Sequence, residues 1–477
     1  MAAYEMVIGL EVHVELSTRT KIFCGCTTRF GGVPNTHTCP ICTGMPGTLP
    51  VLNRRVVEFA MAAGLATNCA ITRVSKFDRK NYFYPDLPKA YQVSQLYLPI
   101  CRNGHVHIRT AAGEKEIGIH EIHMEEDAGK LLHDPWLDKT LVDYNRCGVP
   151  LLEIVSEPDM RSAEEAIAYL TTLRQTLQYI GVSDCRMQEG SLRADVNLSV
   201  RPAGQKELGT RTEMKNLNSF KAIARAIEGE FRRQVECIQD GGRVLQQTRR
   251  WDDNKGTSFA MRSKENAQDY RYFPEPDLPP VEISEAWLAQ VRDRQPELAQ
   301  AKAQRYQQTF ALSEYEANQI TAEKPVADLF ERAVAVCGHP RETAGWIMGE
   351  MMAMMKERQV MPEALEITGE ALGTLVAMVA EGRVSRQSAR EAFAYAFQGG
   401  EDIEGYVRAH GLETVQEDGV YRKAVEEVLS RCRNDADAYR AGNEKALGFL
   451  IGQAMKAFQG KPDPKRIREA LMRALKA

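Results

Sequence analysis

From Met6 to Leu16 apolar and polar positions alternate. Met6, Ile8, Leu10, Val12, Val14 and Leu16 fall on one face; Val7, Gly9, Glu11, His13 and Glu15 fall on the other. A period of two predicts a strand with a wholly apolar buried side and an opposite side presenting Glu, His and Glu. Leu192–Arg201 repeats the pattern, with Leu192, Ala194, Val196, Leu198 and Val200 opposed to Arg193, Asp195, Asn197, Ser199 and Arg201. In Arg211–Lys215 the residues Arg211, Glu213 and Lys215 share a face. The segment His120–Asp127 adds Glu125, or Glu126, according to register.

Elsewhere the period is helical. Ser162 and Glu165 predict a capping box, Leu170, Leu173, Leu177 and Ile180 an apolar stripe, and Gly181 a stop. Near the end, Asp463 is placed to cap a helix whose first turn accepts Pro464 and whose stripe is Ile467, Leu471 and Leu475. Between these lies Tyr272–Pro280, where four prolines in seven residues exclude a helix or a central strand. Residues from Ser284 to about Phe397 read as helices, and Gly399–Gly400 marks a second break. Met348, Met351, Met352 and Met355 form a stripe expected to be core. The pattern predicts an α+β chain: a mixed or antiparallel-sheet domain over 1–292, a helical domain over 293–400 and a helical tail over 401–477.

Length agrees with several domains, since 477 residues exceed one ordinary core. With 43% hydrophobic and 26% charged residues the composition is that of a globular protein, and no apolar run approaches the ~20 residues a membrane span needs. The opening residues lack a basic segment followed by an apolar one, so no secretory signal and a cytoplasmic location are expected. A net charge of -4 does not advertise a nucleic-acid binder. Lys456–Ala477 nevertheless holds seven basic residues against Asp463 and Glu469, a net +5. That suits phosphate contacts, and it also suits a solvated helix face.

Any single polar strand face could be the wet side of an antiparallel sheet. Glu with His, and Arg with Asp and Asn, nevertheless make an unusual solvent face. Hard oxygen donors with a histidine suit Mg²⁺ or Mn²⁺, and arginines suit phosphate oxygens. Together they predict a metal–nucleotide platform for phosphoryl transfer. No P-loop or dinucleotide fingerprint is present, and no amidase-type nucleophile segment. If the reaction needs amide nitrogen, another polypeptide must release it.

Cys24 and Cys26, then Cys39 and Cys42, give C-x-C, twelve intervening residues and C-x-x-C. Two close thiolate pairs predict a closed tetrahedral Zn²⁺ knuckle over 24–42, structural because no coordination position stays open. A redox pair is the functional rival.

Four segments together resemble one family: Val7–Leu16, Phe77–Asp86, His123–Gly129 and Tyr270–Asp277. The chain resembles, over essentially its whole length, the B-subunit family of aspartyl/glutamyl-tRNA amidotransferases. Its helical end, including Ala446–Lys456, resembles the tail domain of that family. The resemblance implies a glutamine-synthetase/guanidino-kinase-like cradle, a helical domain and a tail that hold mischarged Glu-tRNA or Asp-tRNA. It implies a heterotrimer in which the other two chains are a glutaminase, or amidase, and a small bracing protein. It also implies ATP and Mg²⁺ as cofactors, the carboxylate being phosphorylated before ammonia displaces phosphate. Carried onto this sequence, Glu11, His13, Glu125 and Glu213 become the Mg²⁺ ligands, with Glu126 as the register alternative. Arg193, Asp195 and Lys215 become ATP or acyl-phosphate contacts. Lys80, Lys89 and Tyr91 would line the ammonia exit or the amino-acid end of the tRNA, unless they only stiffen a proline-bounded loop. Two other functions stay open: a non-catalytic zinc-ribbon protein that binds tRNA, and a ligase acting on free amino acid and ammonia.

Overall fold

The computed structural model describes residues 4–134, 136, 138–263, 270–415, 418–458 and 463–476. They form two compact units, Met1–Leu298 and Ala299–Ala477. The first contains strands β1 (Tyr4–Glu15), β2 (Ala70–Ile71), β3 (Val74–Ser75), β4 (Asp78–Asn81), β5 (Tyr91–Ser94) and β6 (Cys101–Thr110). There follow β7 (Gly113–Glu126), β8 (Lys130–Asp134), β9 (Lys139–Asp143), β10 (Pro150–Ser156) and β11 (Leu192–Pro202). The last are β12 (Thr212–Lys215), β13 (Gln247–Asp252), β14 (Thr257–Ser263), β15 (Phe273–Pro274) and β16 (Val281–Glu282).

Nine strands make one sheet in the order β14-β13-β12-β11-β1-β10-β7-β6-β2. Its ladders are antiparallel except β12–β13, so the sheet is mixed. The parallel pair requires a crossover, supplied by helix Phe220–Gln239. On β1 the apolar set Met6 to Val14 is buried, and it packs in one core with helices Arg54–Ala66, Ala163–Tyr179 and Phe220–Gln239. One sheet face is therefore covered by helices. The other keeps the polar residues of β1, β7, β10 and β11.

Helix Ala163–Tyr179 starts where expected: Ser162 Oγ accepts from Glu165 N at 3.1 Å. The reciprocal half of the capping box is absent, because Glu165 instead accepts from Arg161 N (2.7 Å) and Lys115 Nζ (2.7 Å). Gly181, at φ +69°, ends the helix in the left-handed region that favours glycine.

The second unit is helical. Its buried apolar residues gather into two clusters, one from Ala303 to Leu412 and one from Tyr421 to Leu475. Met351 is buried in the first, with Met348, Met352 and Met355 packed against it, and the helix there passes through a π turn at Ile347–Met351. Asp463 caps the terminal helix by accepting from Lys465 N at 2.8 Å, and Ile467, Leu471 and Leu475 are buried. Lys461 of the basic segment lies outside the described residues. No helix among the described residues is long and apolar enough to cross a membrane.

Candidate active site

Strand register assembles the polar face. On β1, Glu11 pairs across the ladder with Asp195, and His13 pairs with Arg193 on one side and Glu153 on the other. Glu153 in turn pairs with His123, and Asn197 with Glu213. Cross-strand partners share a face, so residues far apart in sequence meet there without any loop holding them.

Two donor groups result. In the first, His13 Nε2 lies 3.5 Å from Glu125 Oε1 and 3.6 Å from Glu153 Oε2. His123 Nε2 lies 2.6 Å from the same Glu153 oxygen. In the second, one carboxylate oxygen each of Glu11, Asp195 and Glu213 lies within 4.8 Å of the others. Lys215 Nζ contacts Asp195 at 2.5 Å and Glu213 at 2.9 Å, while Asn197 donates to Glu11 at 2.8 Å and Thr248 to Glu213 at 2.7 Å. Arg193 reaches Asp127 at 2.8 Å.

Burial and charge crowding set the protonation of these groups. Burial, followed by Glu153, raises the carboxyls of Glu11 and Glu125. Burial would lower His13, but Glu153 and Glu125 outweigh it and hold the imidazole above its ordinary value. Burial acts the same way on His123, yet Glu153 and Glu121 push it up to about 10. Glu153 is buried too, and its two histidines nevertheless keep it well below the carboxylate range. At the rim, burial and Asp127 push Glu15 up to about 8.

The register question at 125–126 has a geometric answer. Glu125 is on the acidic face, where Ser94 Oγ donates to it at 3.2 Å. Glu126 points the other way, into an ion pair with Lys89 Nζ at 2.5 Å and a bond from Val93 N. Lys89, Tyr91 and Glu126 thus line a different pocket, together with Phe23, Cys24, Cys42 and Glu275. Arg79 lies over the Tyr91 ring and forms two bonds to Glu275, at 2.6 and 2.8 Å. Lys80 is separated from Lys89 and Tyr91: its ammonium sits over Tyr82 and Tyr270, and its charge offsets a small part of the rise that burial and Glu153 impose on Glu125. Of the expected residues, the acidic face unites Glu11, His13, Glu125, Glu213, Arg193, Asp195 and Lys215, and Glu126, Lys89 and Tyr91 lie outside it.

Glu153 and His123, central to the face, were not among the expected site residues. The signal for Glu153 was a lone carboxylate in the apolar run Val149–Val155, which burial would penalise unless it were partnered.

Donor chemistry fits the cations expected. Three half-buried carboxylates crowded within 4.8 Å repel one another, and a hard divalent cation would offset that charge. At the knuckle, the sulfurs of Cys24, Cys26, Cys39 and Cys42 also lie within 4.8 Å of one another. A hydrogen bond from Cys24, helped by Lys21 at 3.7 Å, pulls the Cys42 thiol down to about 5, while burial pushes Cys26 up to about 11. Four converging soft donors match tetrahedral zinc.

Carboxylates, a histidine and cations on one sheet face define a site of the class suited to metal-assisted group transfer. Comparison with known proteins gives the family. Residues 6–289 match the GatB/GatE catalytic domain, and residues 328–475 match the GatB domain. The B subunit of the aspartyl/glutamyl-tRNA(Asn/Gln) amidotransferase of Lachnoclostridium phytofermentans is 61% identical over 475 residues, covering 100% of this chain and 99% of the relative. Proteins of the same name from Agathobacter rectalis and Lachnospira eligens are 57% and 56% identical, each alignment covering 100% of both chains. The chain belongs to the B-subunit family of aspartyl/glutamyl-tRNA(Asn/Gln) amidotransferases.

Proposed function

We propose that this chain is the amidating member of a tRNA-dependent amidotransferase, converting Glu-tRNA(Gln), Asp-tRNA(Asn) or both to the amide. The observation that carries the reading is the convergence of Glu11, His13, Glu125, Asp195 and Glu213 with Arg193 and Lys215 on one sheet face. A non-catalytic zinc-ribbon RNA-binding protein gives these crowded carboxylates no work.

A free carboxylate resists ammonia because its leaving group would be oxide. Transfer of the γ-phosphoryl of ATP to the side-chain carboxylate yields ADP and an acyl phosphate. Ammonia then attacks the carbonyl, the C–N bond forms and inorganic phosphate leaves. Glu11, His13, Glu125 and Glu213 would hold Mg²⁺, which supplies charge neutralisation during phosphoryl transfer. Arg193 and Lys215 present cations to phosphate oxygens, and Asp195 holds the Lys215 ammonium in place. Lys80, over the Tyr82 and Tyr270 rings, serves the amino-acid end of the tRNA, and Lys89 with Tyr91 serves the approach of ammonia.

Glutamine hydrolysis belongs to a partner glutaminase, braced by a third, small protein, in a cytoplasmic heterotrimer. Cys24, Cys26, Cys39 and Cys42 hold structural Zn²⁺. Residues 1–292 act as the cradle, of the glutamine-synthetase/guanidino-kinase type, and the all-α domains 293–400 and 401–477 hold the tRNA body. The test is reconstitution with the glutaminase and the small bracing protein on each mischarged tRNA, with and without ATP. Glu11→Ala should lower ATP-dependent amidation at least about a hundredfold while tRNA binding persists. A fully active variant would refute the assignment.

A further inference from the structure

Outside the acidic face and the cysteine knuckle, one more set of metal-ligating side chains converges. We propose that His105, His107 and Glu116 form a site for a divalent transition-metal ion of the zinc class. The site would stand whether or not the chain amidates tRNA.

His105 and His107 are two residues apart on β6 and share a face, while Val106 and Ile108 are buried on the other. In the β6–β7 ladder His107 is paired with Glu116, and His105 with Gly118. The Nε2 atoms of His105 and His107 lie 3.8 and 3.7 Å from the same oxygen, Glu116 Oε2, and all three donors lie within 4.8 Å. The two rings meet edge to face, 5.0 Å between centroids.

Two imidazole nitrogens and a carboxylate oxygen converging this closely are a three-ligand set of the kind that holds zinc with one position open to water. With two imidazoles among only three donors, the set also disfavours Mg²⁺, which prefers a mostly oxygen shell. Bonds of about 2.0–2.1 Å require the donors to close by roughly an ångström or less. The ladder already fixes their backbones from His105 to Thr110. Neither imidazole makes a hydrogen bond that would have to break, among the described residues. One step further along, Arg109 pairs with Glu114, so a cation is already provided for there.

The experiment is calorimetric titration of the full chain, its cysteine site loaded, with Zn²⁺ in excess Mg²⁺. Wild type should take up one equivalent more than His105→Ala/His107→Ala, and Cys39→Ser should keep that equivalent. Glu116→Gln should weaken it at least about tenfold, since even outer partners of a metal ligand contribute that much. If the double variant folds poorly, His107→Gln alone serves the same comparison. Equal zinc uptake by wild type and the histidine variants, or displacement of the extra equivalent by Mg²⁺, overturns the proposal.

Discussion

Glu153 is the hinge of the acidic face, because a single carboxylate oxygen is shared by His13 and His123. A carboxylate behind a histidine fixes the ring and its proton, so its loss misplaces the ligand and leaves the fold intact. Glu153→Gln keeps the shape and removes the charge. Amidation should fall on the order of 10–100-fold, with tRNA affinity unchanged, in steady-state kinetics paired with direct binding. Undiminished turnover would remove Glu153 from the site. Residue by residue, the sequence exposed those groups of the acidic face that sit on a clean alternation: Glu11, His13, Arg193, Asp195 and Glu213. It left Glu125 and Glu126 undecided, because adjacent carboxylates point to opposite faces and the register comes from pairing with β10. Lys80 and Lys89 are close in sequence but were separated by the short strands β4 and β5, for which there was no comparable pattern.

Among elements, helix Phe220–Gln239 shows what a local pattern conceals. Its apolar stripe runs through Ala222, Ile223, Ala226 and Ile227, and the same face then buries Glu230 and Gln234. Glu230 accepts from Arg233 at 2.6 and 2.8 Å, from Gln234 at 2.9 Å, from Thr212 at 2.8 Å and from Ser258 at 3.2 Å. The helix is thereby tied to β12 and β14, strands whose partnership no sequence period announces. By contrast β1, β11 and the capped helix Ala163–Tyr179 were legible, since each carries its own period and stop. Glu230→Ala should destabilise the first unit by about 3–5 kcal/mol, the usual result of breaking a buried charged network on one side. Burial alone would raise Glu230, but Arg233 and Gln234 outweigh it and lower its folded pKa. A lowered folded value means stability that is complete above the ordinary carboxylate range and is lost as pH falls through the folded value. Urea unfolding at a series of pH values should therefore show wild type and Glu230→Gln converging in acid. A gap that widens in acid would contradict the assignment.

Across the whole chain, the proline-rich Tyr272–Pro280 breaks the local pattern, yet the first unit runs on to Leu298. After the prolines, β16 pairs with β3, and Leu288 and Val291 join the first core. Likewise Ile403, Val407 and Leu412, beyond Gly399–Gly400, pack into the cluster that begins at Ala303. Breakers mark where a local element must stop; they do not mark where packing stops, which depends on contacts distant in sequence. The small cluster from Tyr421 to Leu475 is the part least able to bury surface, and so the part expected to melt first. Leu450 is fully buried within it. Replacing it with alanine removes transfer free energy and leaves a cavity, at a cost of about 2–5 kcal/mol. If that cluster is its own cooperative unit, calorimetry of the full chain should show Leu450→Ala lowering only the first transition. The transitions of the sheet unit and of the Ala303–Leu412 cluster should stay in place. Were all transitions to move together, the second unit would have to melt as one body, and a separately folded tail would have to be abandoned.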